Sequence, residues 1–139
     1  MYNDINMKTM TAIVMIIDDD SDDLELTVMA IESLGRDVSV RSASGGREAL
    51  AMLRDDQPLP DLVLLDLKMP GMNGIDVLIE LRRDDHLKKI PVVMVSSSSL
   101  ESDRAASFKA GANGYLHKAF DMSEFSNEIE AVLNNYIKT

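Results

Sequence analysis

The sequence predicts an α/β fold in which helices cover both faces of a parallel β-sheet in a doubly wound arrangement. Three observations carry this prediction. Strand-like and helix-like segments alternate along the chain, the strand segments are apolar almost without interruption, and polar residues follow them. Strands that are apolar at every position are typical of parallel sheets, because both faces of such a sheet are buried. The length of 139 residues fits one domain.

Five strands are predicted from short apolar runs. They lie at residues 12–17, 38–41, 62–65, 91–95 and 114–117. The run AIVMII at residues 12–17 stops at acids, and the run LVLL at residues 62–65 stops at Asp66. Since right-handed crossovers are almost universal between parallel strands, few sheet topologies remain.

Five helices are predicted between and after the strands. They lie at about residues 21–34, 45–54, 74–83, 101–110 and 122–137. Ser21 is the predicted N-cap of the first helix. Asp22 and Asp23 are predicted to lie in its first turn, where their negative charges interact favourably with the positive end of the helix dipole. Asp20 is predicted to be a cap or a solvent-exposed acid rather than a metal ligand. The last helix is predicted to present the apolar residues Met122, Phe125, Ile129, Val132 and Tyr136 on one face.

Composition excludes several classes of function. Asp and Glu number 24 against 14 Lys and Arg, so the net charge is −10, and direct binding to nucleic acid is not expected. Cysteine is absent, which excludes disulfides and thiolate chemistry. The longest apolar run is far shorter than the about 20 residues that span a bilayer. We therefore expect a cytoplasmic protein without membrane association, in which residues 1–10 form a leader.

Polar side chains at the predicted strand ends form the candidate site. Asp18 and Asp19 follow the first strand, Asp66 the third, Ser96 the fourth and Lys118 the fifth. Ligands of doubly wound sheets bind outside the carboxyl ends of the strands. Carboxylates gathered there favour Mg²⁺, and a carboxylate can accept a phosphoryl group whose charge a metal and a lysine neutralise. The alternative for the acids is a role as helix caps and solvated loop residues.

With these residues in view, the chain resembles the receiver domain of bacterial two-component response regulators. The resemblance extends over residues 11–137. It is carried by IIDDDSDD at 16–23, PDLVLLDLKMPGMNGIDVL at 60–78, IPVVMVSSSS at 90–99 and GANGYLHKAF at 111–120. It implies a CheY-like, flavodoxin-like sheet with strand order 2-1-3-4-5, and a receiver domain over residues 11–139. The lack of room for an output domain suggests a stand-alone regulator, most similar to those paired with phytochrome-type kinases.

The resemblance also implies roles for individual residues. Asp66 would accept the phosphoryl group. Asp18, Asp19, Asp66 and the backbone carbonyl of Lys68 would hold Mg²⁺. Ser96 would bind the phosphoryl group and move on activation, and Lys118 would pair with a phosphoryl oxygen. Tyr115 would be the aromatic switch that turns inward when the Ser96 hydroxyl moves.

The same resemblance implies the partners and the kind of activity. A sensor histidine kinase or a histidine phosphotransfer protein would donate the phosphoryl group, and a downstream protein would dock on the face formed by the fourth helix, fifth strand and fifth helix. The chain would be a monomer or a weak homodimer. It would be no enzyme beyond its own phosphorylation from phosphodonors and its own dephosphorylation.

Two positions depart from the family pattern. Alanine follows Lys118, where the family usually has a proline joined by a cis peptide. We expect a trans Lys118–Ala119 peptide, because a cis bond to a non-proline residue costs about 3–4 kcal/mol. The second position is Lys68, two residues after the acceptor, whose side chain would either lie over the phosphoryl site or point into solvent.

Two other functions compete with the signalling switch. A receiver that has lost phosphorylation would act as a constitutive scaffold, and the missing proline favours this alternative while the intact acidic set opposes it. A haloacid-dehalogenase-like phosphatase would also use Mg²⁺ and an aspartyl-phosphate. That family has its nucleophile on the first strand with a second Asp two residues later, whereas Asp66 follows the third strand and Lys68 occupies the second position.

Overall fold

Apolar runs and amphipathic segments form the elements that the sequence predicts. The computed structural model describes residues 11–118 and 121–137. Its strands are β1 (Ala12–Ile17), β2 (Val38–Ala43), β3 (Leu62–Asp66), β4 (Val92–Ser96) and β5 (Gly114–His117). Its helices are α1 (Ser21–Glu32), α2 (Gly46–Asp55), α3 (Gly74–Arg83), α4 (Glu101–Lys109) and α5 (Met122–Tyr136). The predicted leader at residues 1–10 lies outside the described part.

The five strands form one parallel sheet in the order β2-β1-β3-β4-β5. The predicted doubly wound fold and its strand order are therefore confirmed. No helix within the described residues has both the length and the apolar character of a membrane-spanning segment.

The continuous apolar strands are explained by two cores, one on each face of the sheet. Along β1, Met15 and Ile17 contribute to the core beneath α2 and α3, while Val14 and Ile16 contribute to the core beneath α1 and α5. Because successive side chains of a strand point to opposite faces, both sets of positions must be apolar. The fourth helix differs from the others, since Ser107 is its one buried residue.

The cap role predicted for Asp20 is confirmed, and the one predicted for Ser21 is wrong. The N-cap of α1 is Asp20, whose carboxylate accepts the backbone N–H groups of Asp22 and Asp23, so Ser21 is the first helical residue. Aspartate and serine are comparable caps, and only the position at which the chain turns decides between them.

On α5 the predicted apolar face is confirmed in part, because Phe125 and Ile129 are buried and Val132 and Tyr136 are half-buried against the same core. Met122 is exposed instead, and Leu133, which the prediction omits, is buried.

Register brings the polar strand ends to one level. Ile17 lies beside Leu65, Asp66 beside Val95, and Ser96 beside His117. The residues at or just after these positions are Asp18, Asp66, Ser96 and Lys118. The sheet thus gathers the candidate site at its carboxyl edge.

A close backbone approach fixes the segment after Asp66. The N–H of Gly74, the first residue of α3, donates to the carbonyl oxygen of Leu67 at 2.9 Å. A Cβ atom at Gly74 would collide with the carbonyl oxygen of Asp66, and would lie 2.9 Å from the Leu67 Cα atom. Only glycine therefore allows α3 to begin this close to the end of β3.

We predict that Gly74→Ala lowers the free energy of unfolding by about 1–3 kcal/mol, because backbone atoms cannot move aside cheaply. Urea denaturation of the metal-free protein would measure the loss. Gly45→Ala is the control, since that position is extended, at φ −173°, with no atom within 4 Å of an added Cβ. Equal losses in the two variants would contradict the role assigned to the close approach.

Candidate functional site

Three carboxylates meet at the carboxyl edge of the sheet. Asp18 and Asp66 are buried, at 3% and 6% exposure, while Asp19 lies at the surface. Each offers one oxygen, and these oxygens lie within 4.8 Å of one another. The structure thus brings together the three side chains that the sequence assigns to a cation site. We call Asp18, Asp19 and Asp66 the acidic cluster.

Lys118, at the end of β5, points its ammonium group into this edge. Its Nζ atom lies 3.0 Å from Asp18 Oδ2 and 3.4 Å from Asp66 Oδ1. A third carboxylate, that of Asp23, is nearest, at 2.9 Å. Burial by itself would lower the pKa of Lys118, but the hydrogen bonds to Asp23 and Asp18 and the charge of Asp66 raise it above its ordinary value.

The Asp66 carboxyl is hard to ionise in this setting. Burial raises its pKa to about 7, and the charges of Asp18 and Asp19 act in the same direction. The ammonium of Lys118 opposes the shift without overcoming it. The single ammonium group of Lys118 therefore does not offset burial and the negative charge of the neighbouring acids.

The donor set fits a small, hard divalent cation. Three carboxylates face one ammonium group, and Mg²⁺ prefers oxygen ligands and is usually held by one or two carboxylates together with water. Asp18, Asp19 and Asp66 would hold the ion. The predicted contribution of the Lys68 backbone carbonyl stays a prediction, because no described contact tests it.

Ser96 and Tyr115 are linked through the loop that joins β4 to α4. Ser96 is fully buried, and its Oγ atom accepts the N–H of Ser98 at 3.1 Å. The Tyr115 hydroxyl donates to the Ser98 carbonyl oxygen at 2.9 Å. One residue, Ser98, therefore contacts both side chains that the sequence assigns to a switch.

The side chain of Lys68 is 64% exposed, which agrees with the second predicted position, in solvent, and it also has a partner on α4. It forms an ion pair with Asp103 of α4, with Nζ 3.4 Å from Oδ2. Asp103 also accepts the Ser98 hydroxyl at 2.5 Å. The hydrogen bond from Ser98, and then Lys68, hold the pKa of Asp103 below its usual value against the effect of burial. A chain of contacts therefore joins the loop after Asp66 to α4.

The sequence does not predict the contacts that two residues make at the site. It predicts Asp23 only as an acid in the first turn of a helix, and it assigns no role to Asp103. Each is the third residue of its helix, and Cβ atoms of a helix tilt toward its N-terminus, so such a side chain leans toward the strand ends. This geometry makes the contacts possible, but it does not choose Asp23 over its neighbour Asp22.

Comparison with known proteins identifies the family. A family model of the response regulator receiver domain matches residues 14–130. The chain belongs to the response regulator receiver family. Among curated relatives, the DNA-binding dual master transcriptional regulator RpaA of Synechocystis sp. is 36% identical over 120 residues. The DNA-binding response regulator MtrA of Mycobacterium bovis is 35% identical over 127 residues.

The chain spans about half the length of these curated relatives. The RpaA match covers 86% of this chain and 48% of the relative, and the MtrA match covers 91% and 53%. The DNA binding in their names is therefore stated of those longer proteins. What this chain shares with them is the receiver domain.

Solved structures of similar receivers match over most of their length. The phosphorylated cyanobacterial phytochrome response regulator RcpA superposes with a TM-score of 0.84 at 30% identity, covering 91% of this chain and 94% of that one. The Mn²⁺-bound form of response regulator Rcp1 gives 0.80 at 27% identity, covering 92% and 96%. CheY4 of Vibrio cholerae gives 0.73 at 25%, covering 88% and 99%. The Mn²⁺ in Rcp1 agrees with a divalent metal at the acidic cluster.

One prediction at this edge has no structural outcome. The Lys118–Ala119 peptide, expected to be trans, includes Ala119, which lies outside the described residues.

We predict that Asp66→Asn stabilises the metal-free protein at pH 8 by about 1–2 kcal/mol, with little effect near pH 4. The pKa is raised, so the folded protein keeps a proton that the unfolded chain releases above its ordinary value of 3.8. The contribution of this carboxyl to stability is therefore complete below that value and is lost as the pH rises through about 7. Urea denaturation in chelator measures it. A gap between variant and wild type that is independent of pH would contradict the burial argument.

We predict that Asp103→Ala loosens the loop between β4 and α4, because it removes the partner of both Lys68 and Ser98. Hydrogen exchange of the amides at residues 97–100 should accelerate by roughly 3–10-fold. Glu101→Ala is the matched control, an exposed acid in the same helical turn. Equal acceleration in the two variants would assign the effect to charge at the helix end instead.

Proposed function

We propose that this chain is a phosphorylation-dependent switch in a two-component phosphorelay, in which Asp66 accepts the phosphoryl group from a histidine kinase or a histidine phosphotransfer protein. Residues 11–139 act as its receiver domain. One observation carries the proposal. The buried Asp66 carboxylate lies among two further acids with the Lys118 ammonium within 3.4 Å.

The proposed transfer is a displacement at phosphorus. A carboxylate oxygen of Asp66 forms a bond to phosphorus as the bond to the donor's histidine nitrogen breaks, and that nitrogen keeps the electron pair. Mg²⁺, when bound, supplies positive charge for the phosphoryl oxygens. Lys118 supplies a second positive charge from the β5 side, and the Ser96 hydroxyl supplies a hydrogen-bond donor.

Ionisation of Asp66 is the requirement that the site must meet. The neutral acid is a poor nucleophile, and burial raises the pKa of Asp66 to about 7. Positive charge favours the carboxylate form, so the ammonium of Lys118 keeps the group reactive near neutral pH. The positive charge of Lys118 thus favours the ionised Asp66 carboxylate before the transfer and offsets the negative charge of the phosphoryl group after it.

The contacts of Ser98 support an output through α4 and β5. Ser96, which would turn toward the phosphoryl group, releases the N–H of Ser98 when its hydroxyl moves. Ser98 also accepts from Tyr115 and donates to Asp103 of α4. Since α4 buries only Ser107 among its described residues, little packing opposes its movement. The downstream partner is proposed to be a protein that reads this face.

A phosphatase function has less support. The nucleophile of the haloacid-dehalogenase type would lie on the first strand, whereas Asp66 ends β3. The position where that family has a second acid is occupied by Lys68, which pairs with Asp103.

We predict that incubation with acetyl phosphate and Mg²⁺ gives a single phosphoryl adduct by intact-protein mass spectrometry. A chelator and the substitution Asp66→Asn should each abolish it. Asp37→Asn, an exposed acid in the loop between α1 and β2, is the matched control and should be labelled as wild type.

An adduct on Asp66→Asn equal to that of wild type would overturn the assignment of the acceptor. No adduct in wild type, from acetyl phosphate or from a phosphorylated histidine kinase, would favour the phosphorylation-independent scaffold. Steady release of phosphate from a phosphate ester would favour the phosphatase.

A further inference from the structure

The ammonium group of Lys118 has three carboxylate partners and three N–H donors with which to meet them. The distances are 2.9 Å to Asp23, 3.0 Å to Asp18 and 3.4 Å to Asp66. The lysine side chain is 16% exposed, so water replaces few of these contacts. The partner at the shortest distance, Asp23, is one to which neither the family pattern nor the proposed mechanism assigns a role.

Two of the three partners are shared with the cation site. Asp18 and Asp66 belong to the acidic cluster, and Asp23 does not. An ammonium group and a divalent cation therefore compete for Asp18 and Asp66. Asp23 is the partner of Lys118 that stays available when a cation occupies the cluster.

We propose that Asp23 is a positioning residue that holds the Lys118 ammonium at the border of the acidic cluster, so that Lys118 and a divalent cation are accommodated together. Without it, the ammonium would turn fully to Asp18 and Asp66 and oppose cation binding. This inference rests on the proposed function, because it assumes that the cluster binds Mg²⁺ in the working protein.

The start of α1 is built to hold Asp23 in place. The Asp20 carboxylate accepts the Asp23 N–H at 3.1 Å, and the buried Thr27 hydroxyl donates to the Asp23 carbonyl oxygen at 3.0 Å. These bonds fix the backbone of Asp23 at a helix N-terminus, where a carboxylate is also favoured by the helix dipole. The side chain is 40% exposed, so its replacement leaves no cavity.

A structural role makes a different prediction. If the ion pair only ties α1 to the end of β5, removing Asp23 changes stability and leaves the cluster unaffected. If Asp23 acts only as one more negative charge near the cation, its effect does not depend on Lys118. The proposal requires an effect on cation affinity that is transmitted through Lys118.

The test measures Mg²⁺ affinity by isothermal titration calorimetry in the absence of any phosphodonor. Asp23→Asn should weaken binding by about 3–10-fold, a value within the coupling expected between side chains in direct contact. Asp22→Asn is the matched control, since it removes an exposed acid from the same helical turn, and it should weaken binding by less than about twofold.

A double-mutant cycle then isolates the route through Lys118. In a Lys118→Gln background, Asp23→Asn should lose most of its effect and resemble Asp22→Asn. Asp23→Glu, which keeps the carboxylate, should restore affinity in part. Thermal unfolding of each variant shows whether it is folded.

Equal effects of Asp23→Asn with and without Lys118 would overturn the inference, as would an effect no larger than that of Asp22→Asn. The proposed function has a separate outcome, because the adduct experiment is performed on wild type. Wild type that forms a Mg²⁺-dependent adduct while Asp23→Asn binds Mg²⁺ normally would overturn the positioning role alone. Wild type that binds Mg²⁺ and forms no adduct would contradict the proposed function alone.

Discussion

The rest of the site depends on one constraint, the burial of the Asp66 carboxylate beside two other acids. Burial and like charge oppose its ionisation, and the Lys118 ammonium compensates only in part. The sheet enforces this arrangement, because register brings the ends of β1, β3, β4 and β5 to one level. The acidic cluster therefore carries negative charge that Lys118 does not fully offset. Binding of a divalent cation or a change in the charge of Asp66 alters this charge balance, which is the physical basis for a switch.

Two lysines flank Asp66, and each is held by the third residue of a helix. Lys118 pairs with Asp23 of α1, and Lys68 pairs with Asp103 of α4. The first pair is half-buried and adjoins the acidic cluster, whereas the second is more exposed and ties the loop after Asp66 to α4. Exposed pairs contribute little to stability. The second pair thus matters more for which loop conformation is populated than for the stability of the fold.

Sequence reasoning succeeded where backbone periodicity decides the outcome. Continuous apolar runs predict the parallel sheet, and the polar residues after these runs predict that Asp18, Asp66 and Lys118 meet, with Ser96 at the same edge of the sheet. It failed where neighbouring residues have equal propensity. Asp20 rather than Ser21 caps α1, because the cap is set by where the chain turns into the helix. Asp23 rather than Asp22 reaches Lys118, because a helical rotation of about 100° separates two chemically equal side chains. The ion pair between Lys68 and Asp103 is not predicted, because hydrophobic periodicity does not define how α4, the helix that carries Asp103, is oriented.

The central claim, that Asp66 is the acceptor, is tested most directly by chemical trapping. The protein is incubated with acetyl phosphate and Mg²⁺ and then treated with sodium borohydride, which reduces an aspartyl phosphate to homoserine. Tandem mass spectrometry of its peptides locates the product. The account predicts conversion of Asp66 to homoserine and no conversion of Asp18, Asp19 or Asp23. Conversion at any of those three with Asp66 unchanged would contradict it.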